Sequence, residues 1–302
     1  MNMRKQLRAL MQEPGIIVAP GAYDGGTAML VEGAGFPAVY MTGAGVSSTY
    51  GLPDYGLLSG GEMAARAGLM AGAVGIPLIA DADTGYGNEL NVTRTVRDYE
   101  SRGVAALHIE DQVSPKRCGH LAGKEIVPRD EFLAKIRAAV AARRDPDFVI
   151  IARTDARAVA GMDEAVDRAN AALDAGADMA FLEATRTVEE AASVTKLVRG
   201  PCLLNIVMGG VTPVYDLRMA QEMGYRAAIL PVVILGTMVA RAVEALEALS
   251  ATSVHPPIPG DLTVQDLFGR FGAKRWDDLR TQFQQAFKES GEGLNRTTEV
   301  KP

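Results

Sequence analysis

Short apolar runs alternate along the chain with longer segments in which apolar residues recur at helical spacing. The short runs are rich in β-branched residues and predict buried strands at 16–19, 38–43, 77–83, 105–111, 148–154, 179–183, 202–207 and 227–232. Segments with helical spacing lie between them, at 61–73, 89–102, 129–142, 162–175, 187–198 and 214–223. This alternation predicts parallel strands that are joined by helical crossovers.

The eight predicted strands are apolar throughout, which favours a closed (β/α)8 TIM barrel. Closure buries both faces of every strand and leaves no exposed sheet edge. A doubly wound open sheet is the alternative, and it requires a phosphate-binding turn with the spacing GxGxxG after its first strand. Residues 20–26 are glycine-rich but do not match that spacing. We therefore predict an α/β fold in which residues 1–252 form one barrel.

The end of the chain has a different pattern. A helical run at 236–250 is followed by a proline-rich stretch at 254–260 and by two more helical segments, at 264–271 and 274–288. Proline fixes its own backbone angle, so this stretch is predicted to be an extended linker. We expect residues 253–302, the linker and the C-terminal helices, to make contacts between subunits.

Composition and charge exclude several classes of partner. The formal net charge of the 302 residues is −6 at pH 7, which argues against nucleic acid or an anionic membrane. The amino-terminal residues do not have the pattern of a signal peptide, and no apolar run is long enough to predict a membrane span. Two cysteines, Cys118 and Cys202, are too few for a disulfide framework. The predicted location is the cytoplasm.

Acidic residues follow several predicted strands, at the end of the barrel where such folds place their chemistry. Asp81 and Asp83 are two positions apart and should point the same way, and Glu110 and Glu183 from nearby strands could converge with them. Carboxylates at this density repel each other unless a cation lies between them. Oxygen ligands favour Mg²⁺ over Zn²⁺. The alternative interpretation is that single carboxylates cap helices or pair with Arg153.

The loop after the fourth strand carries a cysteine that packing does not explain. Cys118 is flanked by Lys116 and His120, and positive neighbours lower the pKa of a thiol. Cys202 lies in an apolar strand and is interpreted as a core residue. His108 also lies in an apolar strand, and we interpret it as a buried histidine that supports the structure rather than the chemistry.

Four motifs, taken in this order, resemble the isocitrate lyase/phosphoenolpyruvate mutase superfamily. They are Asp81-x-Asp83-x-Gly85-x-Gly87, His108-Ile109-Glu110-Asp111-Gln112, Lys116-Arg117-Cys118-Gly119-His120 and Arg153-Thr154-Asp155-Ala156. The short bacterial branch of 2-methylisocitrate lyases and dimethylmalate-type lyases is the most similar part of that superfamily. Each motif alone is weak evidence, whereas their combination is specific.

The resemblance implies a set of functional residues. It places Mg²⁺, with Mn²⁺ as an alternative, near Asp83, and it implies that Asp54, Asp81 and Glu110 hold the ion largely through water. It also implies a mobile gate, residues 116–120, that closes over the substrate. The implied substrate contacts are Thr42, Gly43, Ala44, Lys116, Cys118, Gly119, His120, Arg153, Glu183 and Asn205.

The activity implied by the resemblance is cleavage of a carbon–carbon bond in a 2-hydroxy di- or tricarboxylate. The products would be a 2-oxo acid such as pyruvate and a carboxylic acid. Arg153 would stabilise the developing charge, and Cys118 would protonate the departing enediolate. Tyr40 is the candidate base that takes the hydroxyl proton, and Glu183 is the alternative base.

Other activities remain as alternatives at this point. Mutases that act on phosphonopyruvate or carboxyphosphonoenolpyruvate and oxaloacetate decarboxylases generally lack a cysteine in the gate, so Cys118 favours a lyase. A barrel that only binds ligands would not need these carboxylates beside a thiol. Among lyase substrates, Val207, Met208 and the apolar stretch 231–236 favour an alkylmalate such as 2,3-dimethylmalate over 2-methylisocitrate, because a third buried carboxylate would lack a partner.

The resemblance also implies an assembly. By this resemblance, the last helix of the barrel would be exchanged between two subunits, and two such dimers would form a homotetramer. The proline-rich linker is compatible with this arrangement.

Overall fold

A computed structural model describes residues 2–214 and 216–289 of the chain. The chain forms two compact units, which divide between Thr252 and Ser253. Within the described residues no helix combines the length and the apolar character that a membrane span requires. Residues 290–302 of the predicted C-terminal segment lie outside the described residues.

The first unit is a closed barrel of eight parallel strands, as predicted. Each strand pairs with the next along the chain, and the last strand closes on the first with Ile17 opposite Ala227. Every predicted strand is present, although most end one or two residues earlier than the apolar pattern suggests. The strands are β1 (Ile17–Ala22), β2 (Val39–Met41), β3 (Leu78–Asp81), β4 (Ala106–Glu110), β5 (Val149–Thr154), β6 (Met179–Leu182), β7 (Cys202–Asn205) and β8 (Ala227–Leu230).

Among its described residues, the first unit has eleven helices beside these strands. Those that the pattern predicts are α4 (Gly60–Ala73), α5 (Glu89–Ser101), α6 (Arg129–Ala142), α8 (Met162–Asp174), α9 (Val188–Leu197), α10 (Leu217–Glu222) and α11 (Val233–Thr252). The pattern does not predict α1 (Met3–Gln12), α2 (Gly25–Gly33), α3 (Gly43–Thr49) or α7 (Ala156–Val159). Two of these, α2 and α3, are short and glycine-rich, and each is started by a side-chain cap, from Asp24 and Thr42 respectively.

Alternate residues of the strands fill the interior of the barrel. Tyr40, Ile151 and Phe181 belong to one buried cluster there, and Leu7 and Met11 of α1 pack into the same cluster. The N-terminal helix therefore closes one end of the barrel with apolar side chains. The opposite end, where the strands terminate in polar residues, remains for chemistry.

Helix α11 differs from the other long helices of the first unit because none of its 20 residues is buried. Its large apolar side chains, among them Met238, Val239, Val243 and Leu246, are exposed in the single chain. An apolar surface of this kind is typical of a contact between protein chains.

The second unit contains two helices, α12 (Val264–Gly269) and α13 (Ala273–Glu289). They agree with the two predicted segments to within two residues at each end. Thr263 starts α12 by accepting a hydrogen bond from the backbone of Asp266. Leu267, Phe268 and Trp276 are exposed on these helices.

A buried carboxylate in the first unit offers a test of the fold. Glu100 accepts backbone hydrogen bonds from Arg144, at 2.9 and 3.1 Å, and from Asp145, at 2.6 Å. In Glu100→Ala these donors lose a charged acceptor, so we expect the free energy of unfolding to fall by about 2–3 kcal/mol in urea denaturation. Asp174→Ala is the control, because the exposed Asp174–Arg199 pair should contribute under about 1 kcal/mol. Equal losses in both variants would contradict this assignment.

Candidate active site

The residues after β2, beginning with Thr42, form the start of helix α3. Thr42 caps this helix by accepting a hydrogen bond from the backbone of Gly45. The backbone N–H of Gly43 donates to Asp81 Oδ2 at 3.2 Å. A Cβ atom on residue 43 would lie 2.5 Å from the same oxygen, so only glycine permits this approach. The first turn of α3 is therefore fixed against the end of β3.

Asp81 is a buried carboxylate with several donors around it. Besides Gly43, it accepts a hydrogen bond from the backbone N–H of Asp83 at 2.9 Å. Burial by itself would raise its pKa, but the nearby His108 and Lys116 outweigh that effect and lower the pKa of Asp81 to about 2. Asp81 is accordingly ionised at neutral pH.

Tyr40 and His108 form a buried pair beside Asp81. The Tyr40 hydroxyl lies 2.9 Å from His108 Nε2 and 3.5 Å from Asp81 Oδ2. Burial, together with the charge of Asp81, raises the pKa of Tyr40 well above its usual value. Burial also lowers the pKa of His108 to about 4. At neutral pH the pair is therefore a phenol and a neutral imidazole.

His108 is completely buried, as predicted. Among the described residues its Nδ1 atom has no hydrogen-bond partner, and its Nε2 atom contacts the candidate base Tyr40. Because burying an unpaired polar atom costs free energy, this histidine is more than a satisfied core residue.

Lys116 of the gate is buried between two carboxylates. Its ammonium group contacts Asp54 and lies 3.1 Å from Asp83 Oδ1. Burial, which outweighs the attraction of Lys116, raises the pKa of Asp83 to about 6. The expectation that Asp81 and Asp83 share one strand face is wrong, because β3 ends at Asp81 and Asp83 has a left-handed backbone with φ of 45°.

Arg153, at the end of β5, is the second buried cation of the mouth. Its Nη1 atom lies 2.8 Å from Glu110 Oε2, its Nε atom 3.0 Å from Asp155 Oδ2, and its Nη2 atom 3.6 Å from Glu183 Oε2. Lys116 and Arg153 thus divide the carboxylates between them. No three His, Cys, Asp or Glu side chains in the described residues are placed to hold one ion, so the convergence of the carboxylates on a cation stays a prediction.

The donor atoms nevertheless have the chemistry that a hard cation requires. Glu110 is fully buried, and among the described residues its Oε1 atom has no hydrogen-bond partner. Burial raises the pKa of Glu110 well above its usual value, although the charge of Arg153 opposes the shift. Asp54 and Asp83 supply further carboxylate oxygens next to it along the same mouth. This all-oxygen set fits Mg²⁺ or Mn²⁺.

The gate lies closed on the mouth of the barrel. A Cβ atom on residue 119 would lie 2.5 Å from both Arg153 Nη2 and Glu183 Cγ, so Gly119 permits direct contact. His120 Nε2 lies 3.3 Å from Glu183 Oε1 and 3.3 Å from Asn205 Nδ2. The gate, Arg153, Glu183 and Asn205 are therefore brought together as the sequence predicts.

Cys118 is half-buried inside this closed gate. Burial raises the pKa of its thiol, and the carboxylate of Asp54 adds to the shift, whereas Lys116 and Arg153 oppose it. The prediction that positive neighbours lower this pKa is therefore wrong, because loss of water outweighs their attraction. The thiol is protonated at neutral pH.

Two further residues of the mouth, Lys124 and Asp111, were not predicted as site residues. Lys124 is buried, contacts the carbonyl oxygen of Gly119 and donates to Asp155 Oδ1 at 2.7 Å. Asp111 accepts hydrogen bonds from the Thr154 hydroxyl at 2.6 Å and from the Asp155 backbone at 2.8 Å. A lysine in a loop is ordinarily exposed, so the sequence carries no signal for the buried position of Lys124.

The family model described as phosphoenolpyruvate phosphomutase matches residues 7–253, which is most of the chain. The chain belongs to the PEP mutase/isocitrate lyase superfamily. The resemblance recognised in the four motifs is thereby confirmed. The matched region contains the complete barrel and all the site residues described above.

Two relatives within the superfamily are lyases. A 2,3-dimethylmalate lyase from Eubacterium barkeri is 48% identical over 232 residues, which is 76% of this chain and 80% of the relative. A 2-methylisocitrate lyase from Aeropyrum pernix is 44% identical over 226 residues, 75% of this chain and 73% of the relative. Identity at this level to lyases of the superfamily identifies the chain as a carbon–carbon lyase.

Solved structures of the superfamily match the fold closely. An oxaloacetate acetylhydrolase in complex with the inhibitor 3,3-difluorooxalacetate is 40% identical with a TM-score of 0.91, covering 94% of this chain and 97% of that one. A phosphonopyruvate hydrolase in complex with oxalate and Mg²⁺ is 30% identical with a TM-score of 0.84, covering 94% and 100%. These two proteins thus bind small dicarboxylates, and the phosphonopyruvate hydrolase binds its dicarboxylate together with Mg²⁺.

Proposed function

We propose that the protein is a metal-dependent lyase that cleaves an alkylmalate such as 2,3-dimethylmalate into pyruvate and a carboxylic acid. The observation that carries this proposal is the closed gate, which holds a protonated thiol at Cys118 beside the Arg153–Glu183 pair. An acid group next to a cation that can bind a carboxylate is what the breaking of such a bond requires. The relative from Eubacterium barkeri supports the same substrate class.

The charges at the mouth favour a dicarboxylate over a tricarboxylate. Lys116 and Arg153 are paired with carboxylates of the protein. The residues that follow β7 and β8, among them Ile206, Met208 and Val232, are apolar. Because a buried carboxylate without a partner is costly, an alkyl substituent suits this side of the mouth better than a third carboxylate. 2-Methylisocitrate is the second candidate, supported by the relative from Aeropyrum pernix.

We propose that Mg²⁺, or Mn²⁺ as an alternative, is held near Asp83, with Asp54, Asp81 and Glu110 around it. The unpartnered oxygen of Glu110 supports this assignment, as does the complex of the phosphonopyruvate hydrolase with Mg²⁺. The chemistry supplied there would be neutralisation of the negative charge that develops on the substrate oxygens. Arg153 would contribute to the same stabilisation through its guanidinium charge.

The reaction begins when a base removes the proton of the substrate hydroxyl. Of the two candidates, Tyr40 holds its own proton because of its raised pKa and acts best as a hydrogen-bond donor. Glu183 is buried, and its Oε2 atom accepts a hydrogen bond from Asn205 at 2.9 Å. We therefore propose Glu183 as the base, with Tyr40, Asn205 and the first turn of α3 orienting the substrate.

The reaction ends with a proton from Cys118. After the carbon–carbon bond breaks, the new carbonyl belongs to the 2-oxo acid and the electron pair remains on the departing enediolate. The thiol of Cys118 donates its proton to that carbon, and the closed gate keeps water away meanwhile. Because Cys118 works as a free thiol, we retain the cytoplasm, a reducing compartment, as the proposed location.

The substrate proposal is tested with purified enzyme and a lactate-dehydrogenase-coupled assay for pyruvate. With Mg²⁺ we expect 2,3-dimethylmalate to be cleaved faster than 2-methylisocitrate, and chelation of the metal by EDTA should abolish pyruvate formation. Phosphonopyruvate and oxaloacetate serve as comparison substrates for the mutase and decarboxylase alternatives. A faster reaction with either of those two would overturn the lyase proposal, and faster cleavage of 2-methylisocitrate would overturn the choice of an alkylmalate.

The role of Cys118 gives a second prediction. Cys118→Ser replaces the acid by a hydroxyl that holds its proton more tightly, so we expect kcat to fall about 10²–10⁴-fold. The wild-type thiol must be protonated to act and its pKa is raised above the ordinary 9.0, so activity should decline only above pH 9 and that decline should be absent from the variant. Cys202→Ser, in the core, should keep the wild-type pH profile. Near-normal turnover in Cys118→Ser would end the assignment.

The choice of base gives a third prediction. Glu183→Gln keeps the shape of the side chain but removes the proton acceptor, and we expect a loss in kcat of about 10²–10⁴-fold. Tyr40→Phe removes one orienting hydrogen bond and should cost about tenfold. Steady-state kinetics of both variants distinguish the roles. The reverse order of losses would return the base role to Tyr40.

We further propose that the exposed apolar face of α11 packs against a second copy of the chain, in an assembly of helix-exchanged dimers that pair into a homotetramer. The exposed side chains of Val239, Val243 and Leu246 support a contact of this kind. We expect Leu246→Glu to lower the molar mass measured by sedimentation equilibrium, with Arg241→Ala on the same helix as the control. A wild-type protein that sediments as a single chain would contradict the proposal.

A further inference from the structure

Lys124 lies just beyond the gate, where the chain returns from it towards α6. Its side chain is almost completely buried, with 2% of its surface exposed. The ammonium group contacts two acceptors, the carbonyl oxygen of Gly119 inside the gate and Asp155 Oδ1 at 2.7 Å after β5. A single buried lysine therefore joins the gate to the barrel.

The carboxylate that holds Lys124 also holds Arg153. Asp155 is completely buried, and its oxygens accept hydrogen bonds from Arg153 Nε at 3.0 Å and Nη2 at 3.3 Å. The backbone N–H of Asp155 is itself fixed by Asp111 Oδ1 at 2.8 Å. Lys124 and Arg153 thus share the carboxylate of Asp155 as a partner. Through Lys124 this carboxylate is connected to the gate, and through Arg153 it is connected to the proposed substrate position.

Burial of the Lys124 ammonium group means that this contact stabilises the closed gate. A buried charge is costly unless its hydrogen-bonding capacity is satisfied. In this structure Lys124 has both Asp155 and the Gly119 carbonyl as acceptors. Any movement of the gate that separates Gly119 from Lys124 would leave the ammonium group with one acceptor fewer. The lysine therefore favours the closed gate, and it acts on the backbone next to Cys118.

We propose that Lys124 is a positioning residue that latches the closed gate to the Asp155–Arg153 pair and thereby sets the place of the Cys118 thiol. The inference rests on the proposed role of Cys118 as the acid. Lys124 does not touch the reacting atoms and acts through Gly119. Its loss should therefore reduce kcat and leave KM nearly unchanged, since Arg153 keeps its other carboxylate partners, Glu110 and Glu183.

The chain provides its own reporter for this test. Cys118 and Cys202 are the two cysteines of the sequence, and Cys202 is 1% exposed in β7, where burial raises its pKa to about 12. Alkylation by iodoacetamide in the folded protein therefore reports on Cys118, and the Cys118→Ala variant gives the background. The measurement requires no substrate and no turnover.

The test compares Lys124→Met with Lys135→Met. Lys135 is an equally buried lysine, 4% exposed on α6, whose partner Glu131 lies 3.6 Å away on the same helix and outside the gate. We expect Lys124→Met to increase the alkylation rate of Cys118 at least about tenfold and to lower kcat about 10- to 100-fold, the range expected for the loss of a charge-assisted hydrogen bond. Lys135→Met should change neither quantity, even if it lowers the melting temperature equally.

Each outcome separates this inference from the proposed function. Unchanged alkylation and kcat in Lys124→Met would overturn the latch, whatever the substrate. Faster alkylation without any lyase activity in the wild type would keep the latch and overturn the proposed function. A fall in kcat with unchanged alkylation would assign Lys124 a structural role only and overturn the inference. If Lys124→Met does not fold, Lys124→Gln, which retains an N–H donor group but no charge, is measured in the same way.

Discussion

Two of the buried cations at the mouth of this barrel, Lys116 and Arg153, each hold several carboxylates together. Lys116 lies between Asp54 and Asp83, and Arg153 lies between Glu110, Asp155 and Glu183. Without these partners the carboxylates would repel each other in a region that excludes water. The gate, the first turn of α3 and the ends of β3 to β6 are all arranged around this compensation of charge.

The same pairing of charges, together with burial, explains why the site contains both ionised and protonated groups at neutral pH. Asp81 is ionised, with a pKa of about 2, while the pKa of Asp83 rises to about 6 and that of Glu110 rises well above its usual value. Tyr40 and Cys118 keep their protons because burial raises the pKa of each. A lyase needs acids and bases side by side at one pH, and differences in burial and charge over a few ångströms provide them.

Closure of the gate brings the separate parts of the site into contact. Gly119 touches Arg153 and Glu183, and His120 reaches Glu183 and Asn205. The gate also contributes Lys116, one of the two compensating cations. Because the gate supplies both a charge and the thiol, the electrostatics of the mouth and the access of substrate to it depend on one segment of chain.

The amino-acid sequence determined the barrel and most of the site. Strand–helix alternation is a local property, and the residues after each strand necessarily meet at one end of a parallel barrel, so Arg153, Glu183 and Asn205 could be placed together from the sequence. A lysine and a histidine beside Cys118 were also visible, but their effect on its pKa was not, since that depends on burial.

Only the tertiary structure decided which charges pair with which. Whether Asp83 faces Asp81 or Lys116 depends on a left-handed backbone at one residue, and whether Lys124 is buried depends on how the gate returns to the barrel. The short helix α3 and the contact between Tyr40 and His108 were likewise hidden, because each arises from contacts between segments far apart in the chain. Desolvation and pairing are properties of three-dimensional surroundings, and a linear pattern of residue types does not contain them.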